Sequence, residues 1–354
     1  MRRAVLFAGL ALMIGACSVA SEPSEMQTPT ELVNHELIVL AAPPATDGYY
    51  AGVEDKIFDF HVAYAEAILA AGDDVIVLAP KASVDDYREA LGAGHVINVG
   101  QQDIWMRDFG LANPAAAVMF HYTAAGQGGG RDGQAEADFV QESFAGLAER
   151  MGLSFSESDL FNDGGNWVDD YAGNVVVSRK FLVDNEMTEA QARAALQVET
   201  GALHIAFIDA DEQGGLEHAD GVVAFIDANV LVINSYDEDA DYQAALTADL
   251  KAGLPDVEIH KITTPYDGSE IYDERFGSAC GLYTNMLVTP QRIYLPQFGI
   301  PEDALALQQV RAVTTKTVIP ISSQQVCQMG GGVRCMSMQL RGANAALLRA
   351  YIDR

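Results

Sequence analysis

From residue 36 onward, apolar runs of two different periods alternate along the chain. The unbroken runs ELIVLAA (36–42) and DVIVLAP (74–80) predict strands buried on both faces. Between them Ile57, Phe58, Phe60, Ala63, Ile68 and Leu69 recur at roughly helical spacing from Glu54 to Ala71, and Gly72 stops the helix. DDYREALG (85–92) reads as a short helix and HVINVG (95–100) as a strand. Further helices are predicted over 136–151, 188–199, 239–252, 302–312 and 339–352. Further strands are predicted over 116–120, 173–178, 203–208, 229–234, 256–262, 291–295 and 316–320. Strands and helices in alternation define an α/β protein.

A longer rhythm lies over this one. A polar motif, a short segment with a turn, and a strand follow each other in MRDFGLANPAAAVMF, GGNWVDDYAGNVVVS, HADGVVAFIDANVLVIN and TNMLVTPQRIYLP. ANPA, YAGN, DAN and TPQR carry the turn chemistry. The polar motifs stand roughly 50 to 65 residues apart, a period that fits a ring of similar modules, each delivering one motif to a common centre. Coincidence among β-hairpins is the competing explanation.

The N-terminus reads as a targeting segment. Arg2 and Arg3 precede an apolar run, Ala4 to Gly15, too short for a permanent membrane span. The run ends in Ile14-Gly15-Ala16-Cys17, which resembles the lipobox of bacterial lipoproteins, with Cys17 the lipidated residue. An ordinary cleaved signal peptide is the alternative. Residues 18–34 are small, polar and Pro-containing, a flexible tether. The expectation is an exported envelope protein whose contact with the membrane is this lipid anchor, and residues 35–354 form a single catalytic domain.

The formal charge of the 354-residue chain is −29, which argues against a nucleic-acid partner and suits a small cation. In an oxidising compartment two of Cys280, Cys327 and Cys335 can bridge, leaving one free thiol. No CxxC or Cys/His spacing points to zinc.

Four constellations carry chemistry. Asp103-Ile104-Trp105-Met106-Arg107-Asp108 sets carboxylates beside a tryptophan face, a combination suited to a planar cation. Asp163-Gly164-Gly165-Asn166-Trp167 has paired glycines that permit close backbone approach. In His218-Ala219-Asp220 the two polar side chains share a face if the segment is a strand. Gly330-Gly331-Gly332-Val333-Arg334-Cys335 predicts an exposed thiol among free backbone N–H groups. A thiol, a histidine and paired carboxylates are the parts of a covalent catalyst for a cationic carbon.

In this order WMRDFG, DGGNW, HAD, TNMLVTPQRIYLPQFG and GGGVRCMS resemble the guanidino-group-modifying enzymes. The branch is similar to agmatine deiminase and the bacterial, Porphyromonas-type peptidylarginine deiminases, over roughly residues 35 to 350. The resemblance implies a five-module, pseudo-symmetric β/α-propeller and a reaction that needs no metal or organic cofactor. It implies Cys335 as nucleophile, His218 as general acid and base, and Asp163 as the carboxylate that orients the histidine. Asp108 and Asp220 match the pair that clasps the guanidinium, with Trp105 as an aromatic wall and Asn285 as a polar neighbour. Asp163 stands where the family usually has Glu, which predicts a longer or water-bridged contact with His218. Arg334 stands where the agmatine branch usually has His, and predicts a substrate bearing a carboxylate, such as free or peptidyl arginine. The other motifs favour agmatine, hydrolysed to N-carbamoylputrescine and ammonia. A binding lipoprotein that captures cationic amines without turnover is the reading of another class. Cys280 and Cys327 are the two that could pair, and whether they do is left open, as is the oligomeric state.

Overall fold

The computed structural model describes residues 36–45, 48–112, 117–211 and 216–352. The signal segment, Cys17 and the tether therefore lie outside the described residues.

Fourteen of the strands fall in chain order into five separate sheets. The first holds β1 (Leu37–Ala41), β2 (Asp74–Ala79) and β3 (Val96–Asn98), all parallel. The second pairs β4 (Val118–His121) with β5 (Ser156–Phe161) in parallel. The third holds β6 (Val168–Asp169), β7 (Asn174–Ser178) and β8 (His204–Ile208). The fourth holds β9 (Val223–Asp227), β10 (Val230–Asn234) and β11 (Glu258–Ile262). The fifth holds β12 (Leu287–Val288), β13 (Arg292–Gln297) and β14 (Thr317–Ser322). In the last three sheets an antiparallel hairpin is followed by a helical crossover to a parallel strand. The first sheet has the same plan split across the chain ends: β15 (Met338–Leu340) returns to lie antiparallel to β1.

The helices follow from the apolar spacing. α1 (Glu54–Ala71) buries Ile57, Phe60, Tyr64, Ala65 and Ile68 and ends on Gly72, whose left-handed φ of 86° lets its N–H reach back to the last turn. α2 (Val84–Leu91) joins β2 to β3, α3 (Met106–Phe109) is a single turn, and α4 (Gly130–Met151) joins β4 to β5. After the short α5 (Lys180–Asp184), α6 (Glu189–Thr200) starts at a capping box between Thr188 and Gln191. α7 (Ala240–Gly253), α8 (Glu302–Ala312) and α9 (Gly342–Tyr351) complete the set. The buried carboxylate of Asp73 joins the first sheet to the fifth, accepting from Arg292 Nη1 and Tyr294 OH, both at 2.7 Å.

Two local readings change. The predicted helix 339–352 is a strand followed by a shorter helix, because Met338, Gln339 and Leu340 are all buried against β1 and Gly342, at φ 54°, starts the helix afresh. The exposed, polar strand β5 escapes the pattern because its residues, SESDLF, show no apolar alternation.

Candidate active site

The five polar motifs lie in the segments before or after strands, and hydrogen bonds tie them into a circle. Arg107 N–H, in α3, donates to Cys335 O at 3.1 Å. Gly165 N–H donates to Asp108 Oδ1 at 2.9 Å. Asn166 Oδ1 accepts from Ala219 N–H at 3.3 Å, and Gly221 O accepts from Thr284 Oγ1 at 3.0 Å. Arg334 N–H closes the circle on Asn285 O at 3.3 Å. Motifs up to 228 residues apart in sequence thus share one centre.

At that centre the Cys335 thiol is buried and is the free cysteine among the described residues. Asn285 Nδ2 donates to its Sγ at 3.0 Å, and the thiol points to Asp220 Oδ2 at 4.0 Å. Burial, and then the negative charges of Asp220 and Asp108, push the thiol well above its ordinary range. The sequence predicted the reverse, an exposed thiol activated by its glycines. Glycine serves instead for close packing: a methyl group at Gly331 would overlap the ring edge of Trp105 and stand 2.9 Å from Cys335 Cβ.

His218 precedes a tight 3-10 turn, Ala219–Gly221, rather than lying in a strand. Its Nε2 meets Asp163 Oδ2 at 2.9 Å, and its Nδ1 lies 3.7 Å from Asp108 Oδ1. Burial opposes the imidazolium, but Asp108 and Asp163 outweigh it and raise the pKa to about 9. Burial pushes Asp108 up to about 7, against the pull of His218. Asp163 makes direct contact despite its shorter side chain. The backbone N–H and hydroxyl of Thr123 grip its carboxylate from behind, both at 2.8 Å. Glycine at 165 makes room for the neighbouring side chains, since a methyl there would overlap His218 Nδ1 and approach Asp108 Oδ1 to 2.8 Å.

Arg334 departs from the sequence reading. Its guanidinium is buried and turned onto Asp220 Oδ2 at 2.6 Å, with the carbonyls of Trp167 (2.6 Å) and Gly164 (3.4 Å) as further acceptors. It is therefore not presented to a substrate carboxylate.

Trp105, Asp108 and Cys335 line a cavity of about 250 Å³. Its other walls include Tyr50, Asp103, Tyr122, Gln127, Arg275 and Phe276. Sequence reasoning noted Asp103 beside the tryptophan but assigned it no role. Asp103 is buried and accepts from Tyr50 OH and, at 2.8 Å, from Gln127 Nε2. Thr123, Tyr50 and Arg275 carried no recognisable signal, because each reaches the site from a segment without a motif. The segment bearing Arg275 and Phe276 is pinned by the disulfide Cys280–Cys327, a pairing that the sequence left open.

The chain is that of a hydrolase that acts on carbon–nitrogen bonds of guanidino groups. The Porphyromonas-type peptidyl-arginine deiminase family matches residues 27–340, and the chain belongs to that family. It is 25% identical to a Lactococcus lactis protein provisionally named an agmatine deiminase, over 91% of this chain and 97% of that one. The fold is similar to that of an agmatine deiminase of Enterococcus faecalis, with a TM-score of 0.70 and 16% identity over 91% of this chain and 99% of the other. The agmatine deiminase of C. jejuni gives a TM-score of 0.69 at 16% identity, over 88% of this chain and 95% of that one.

Proposed function

We propose that the protein hydrolyses a small guanidino compound, with agmatine as its substrate, through a covalent intermediate on Cys335. The observation that carries this reading is the convergence of a thiol, a histidine hydrogen-bonded to Asp163, and the carboxylates of Asp108 and Asp220, with Cys335 and Asp108 opening onto one cavity. A guanidinium seated against Trp105 and between Asp108 and Asp220 keeps its positive charge centred on carbon. That charge also offsets the carboxylates that hold the thiol protonated, so the substrate itself promotes thiolate formation.

The Cys335 thiolate then attacks the guanidinium carbon. A carbon–sulfur bond forms and a carbon–nitrogen bond breaks, with ammonia leaving on a proton from His218. Nε2 of the ring is committed to Asp163, which leaves Nδ1 for this transfer. The S-alkyl thiouronium that remains is attacked by water, with His218 taking its proton. As the ureido product departs, the second proton of that water passes to sulfur and restores the thiol, and the proton first lost from the thiol ends on the released ammonia.

Agmatine is favoured because the expected carboxylate receptor, Arg334, is occupied by Asp220, while Asp103 and Glu136 stand on the cavity wall. One observation favours a second reading, arginine or a peptide with C-terminal arginine: Arg275 also lines the wall, paired with Asp273. Incubation with agmatine, arginine and C-terminal-arginine peptides, with ammonia and ureido product measured, separates the two. Binding of these compounds without product would sustain the amine-binding alternative; neither binding nor product would end the proposal.

The circle of hydrogen bonds through the motif turns supports arranging the five sheets as modules of a pseudo-fivefold β/α-propeller. We also place the enzyme in the cell envelope, tethered through Cys17. The Cys280–Cys327 disulfide supports an oxidising compartment. Metabolic labelling with a fatty acid, in the wild type and in Cys17→Ala, tests the anchor.

A further inference from the structure

We propose that Arg334 is a resident countercharge for Asp220, a positioning residue that sets how readily the Cys335 thiol ionises. The inference rests on the catalytic reading of Cys335, and its test is separable from that reading.

One oxygen is the hinge of the geometry. Asp220 Oδ2 receives Arg334 Nη1 at 2.6 Å and faces the Cys335 thiol at 4.0 Å. The side chains of Arg334 and Asp220 are 11% and 3% exposed, so water does little to screen the pair. Arg334 is held on both sides of its fork, since Nη2 is fixed on Trp167 O at 2.6 Å. Asp220 is thereby held in place, with the oxygen that faces the thiol also carrying the arginine's charge.

The charges around the thiol fix the sign of the effect. Facing it are Asp220 and Asp108, with Arg334 beyond Asp220, and His218 and Asp163 beyond Asp108. Arg107, Asp169 and Tyr171 lie behind Arg334. With the site carboxylates ionised and His218 protonated, Asp108, Asp163 and Asp220 outnumber His218 and Arg334 by one. Without Arg334 the excess is two. A thiolate then forms less readily, while a cationic guanidinium is held more strongly in its unreacted state. Loss of Arg334 should therefore lower kcat without raising KM.

The test is the pH dependence of Cys335 alkylation by iodoacetamide in the substrate-free full-length protein, followed by mass of the Cys335 peptide, for wild type, Arg334→Gln and Arg334→Lys. Arg334→Gln should move the midpoint upward by about one pH unit, and Arg334→Lys should recover most of that shift. With agmatine, Arg334→Gln should lose about tenfold in kcat at neutral pH with KM unchanged or reduced. An unchanged alkylation profile in Arg334→Gln would overturn the proposal, as would a rise in KM with a fall in kcat that Lys does not correct, the pattern of a packing role. If the wild type turns over no guanidino compound, the alkylation profile still decides for or against Arg334, so the two failures are told apart.

Discussion

On one flank of Cys335, Asp163 grips His218 at 2.9 Å; on the other, Asp220 grips Arg334 at 2.6 Å. Both pairs are buried, and in both a carboxylate holds a cation against the cost of desolvation. The cations differ in what they can release. His218 titrates at about 9 and can hand over a proton, whereas Asp220 raises Arg334 still further above an already strongly basic value. One flank moves protons and the other supplies a fixed field. The anchoring matches the roles: Asp163 is fixed by two bonds from Thr123, while Asp220 is fixed by the arginine itself.

The largest expected effect removes the atom on which both flanks act. Cys335→Ala should abolish turnover yet retain agmatine binding by calorimetry, because both pairs remain; wild-type turnover in this variant would dismiss Cys335 as nucleophile. Next is Gly165→Ala, which strikes one flank alone. The added methyl collides with His218 Nδ1 and crowds Asp108, so kcat should fall by about 100-fold. The substrate-free alkylation rate of Cys335 should change far less. Equal losses in both would mean that the flanks are not separable.

The two flanks were unequally legible in the sequence. Cys335, His218, Asp163, Asp108, Asp220, Asn285 and Trp105 all sit in compact motifs, and the fold brings them together. Motif position says what a residue is near, but not where a long side chain turns. Arg334 is adjacent to the nucleophile, and nothing local discloses that its guanidinium folds back onto Asp220 and two carbonyls from distant turns. Thr123 follows β4 in a stretch without catalytic pattern, and only the tertiary fold sets it behind Asp163. The strands legible from sequence are those with apolar faces. The start of the predicted helix 339–352 is strand instead, because Gln339 and Leu340 fit a helical spacing equally well until the pairing of β15 with β1 is known.

A smaller loss tests the anchoring. Thr123→Val removes the hydroxyl that holds Asp163 Oδ2 and keeps the backbone bond to Oδ1. Stability should fall by about 1 kcal/mol. We expect kcat to drop about fivefold as His218 loses its fixed orientation, with the Arg334 flank unaffected. Thermal melting and steady-state kinetics measure both; unchanged kcat would show that His218 needs no such support.

The smallest effect on activity is a slope in stability, and it comes from one flank only. His218 keeps its proton to about 9 in the folded protein against an ordinary 6.5. The folded state therefore binds a proton that the unfolded chain has released, and the resulting stability is complete below about 6.5 and fades as the pH rises through 9. Asp108 acts in the same direction: held at about 7 against an ordinary 3.8, it costs stability as the pH climbs from about 4 to 7. The Arg334 flank keeps its cation charged throughout this range. His218 and Asp108 titrate together, so the comparison is wild type against the double variant Asp108→Asn/His218→Gln. Melting temperature should fall more steeply in the wild type between pH 4 and 9, by an amount worth roughly 3 kcal/mol from His218 alone. Identical slopes in the two proteins would mean that neither group departs from its unfolded titration, and the proton-handling flank would then lack the electrostatic coupling that distinguishes it from its neighbour.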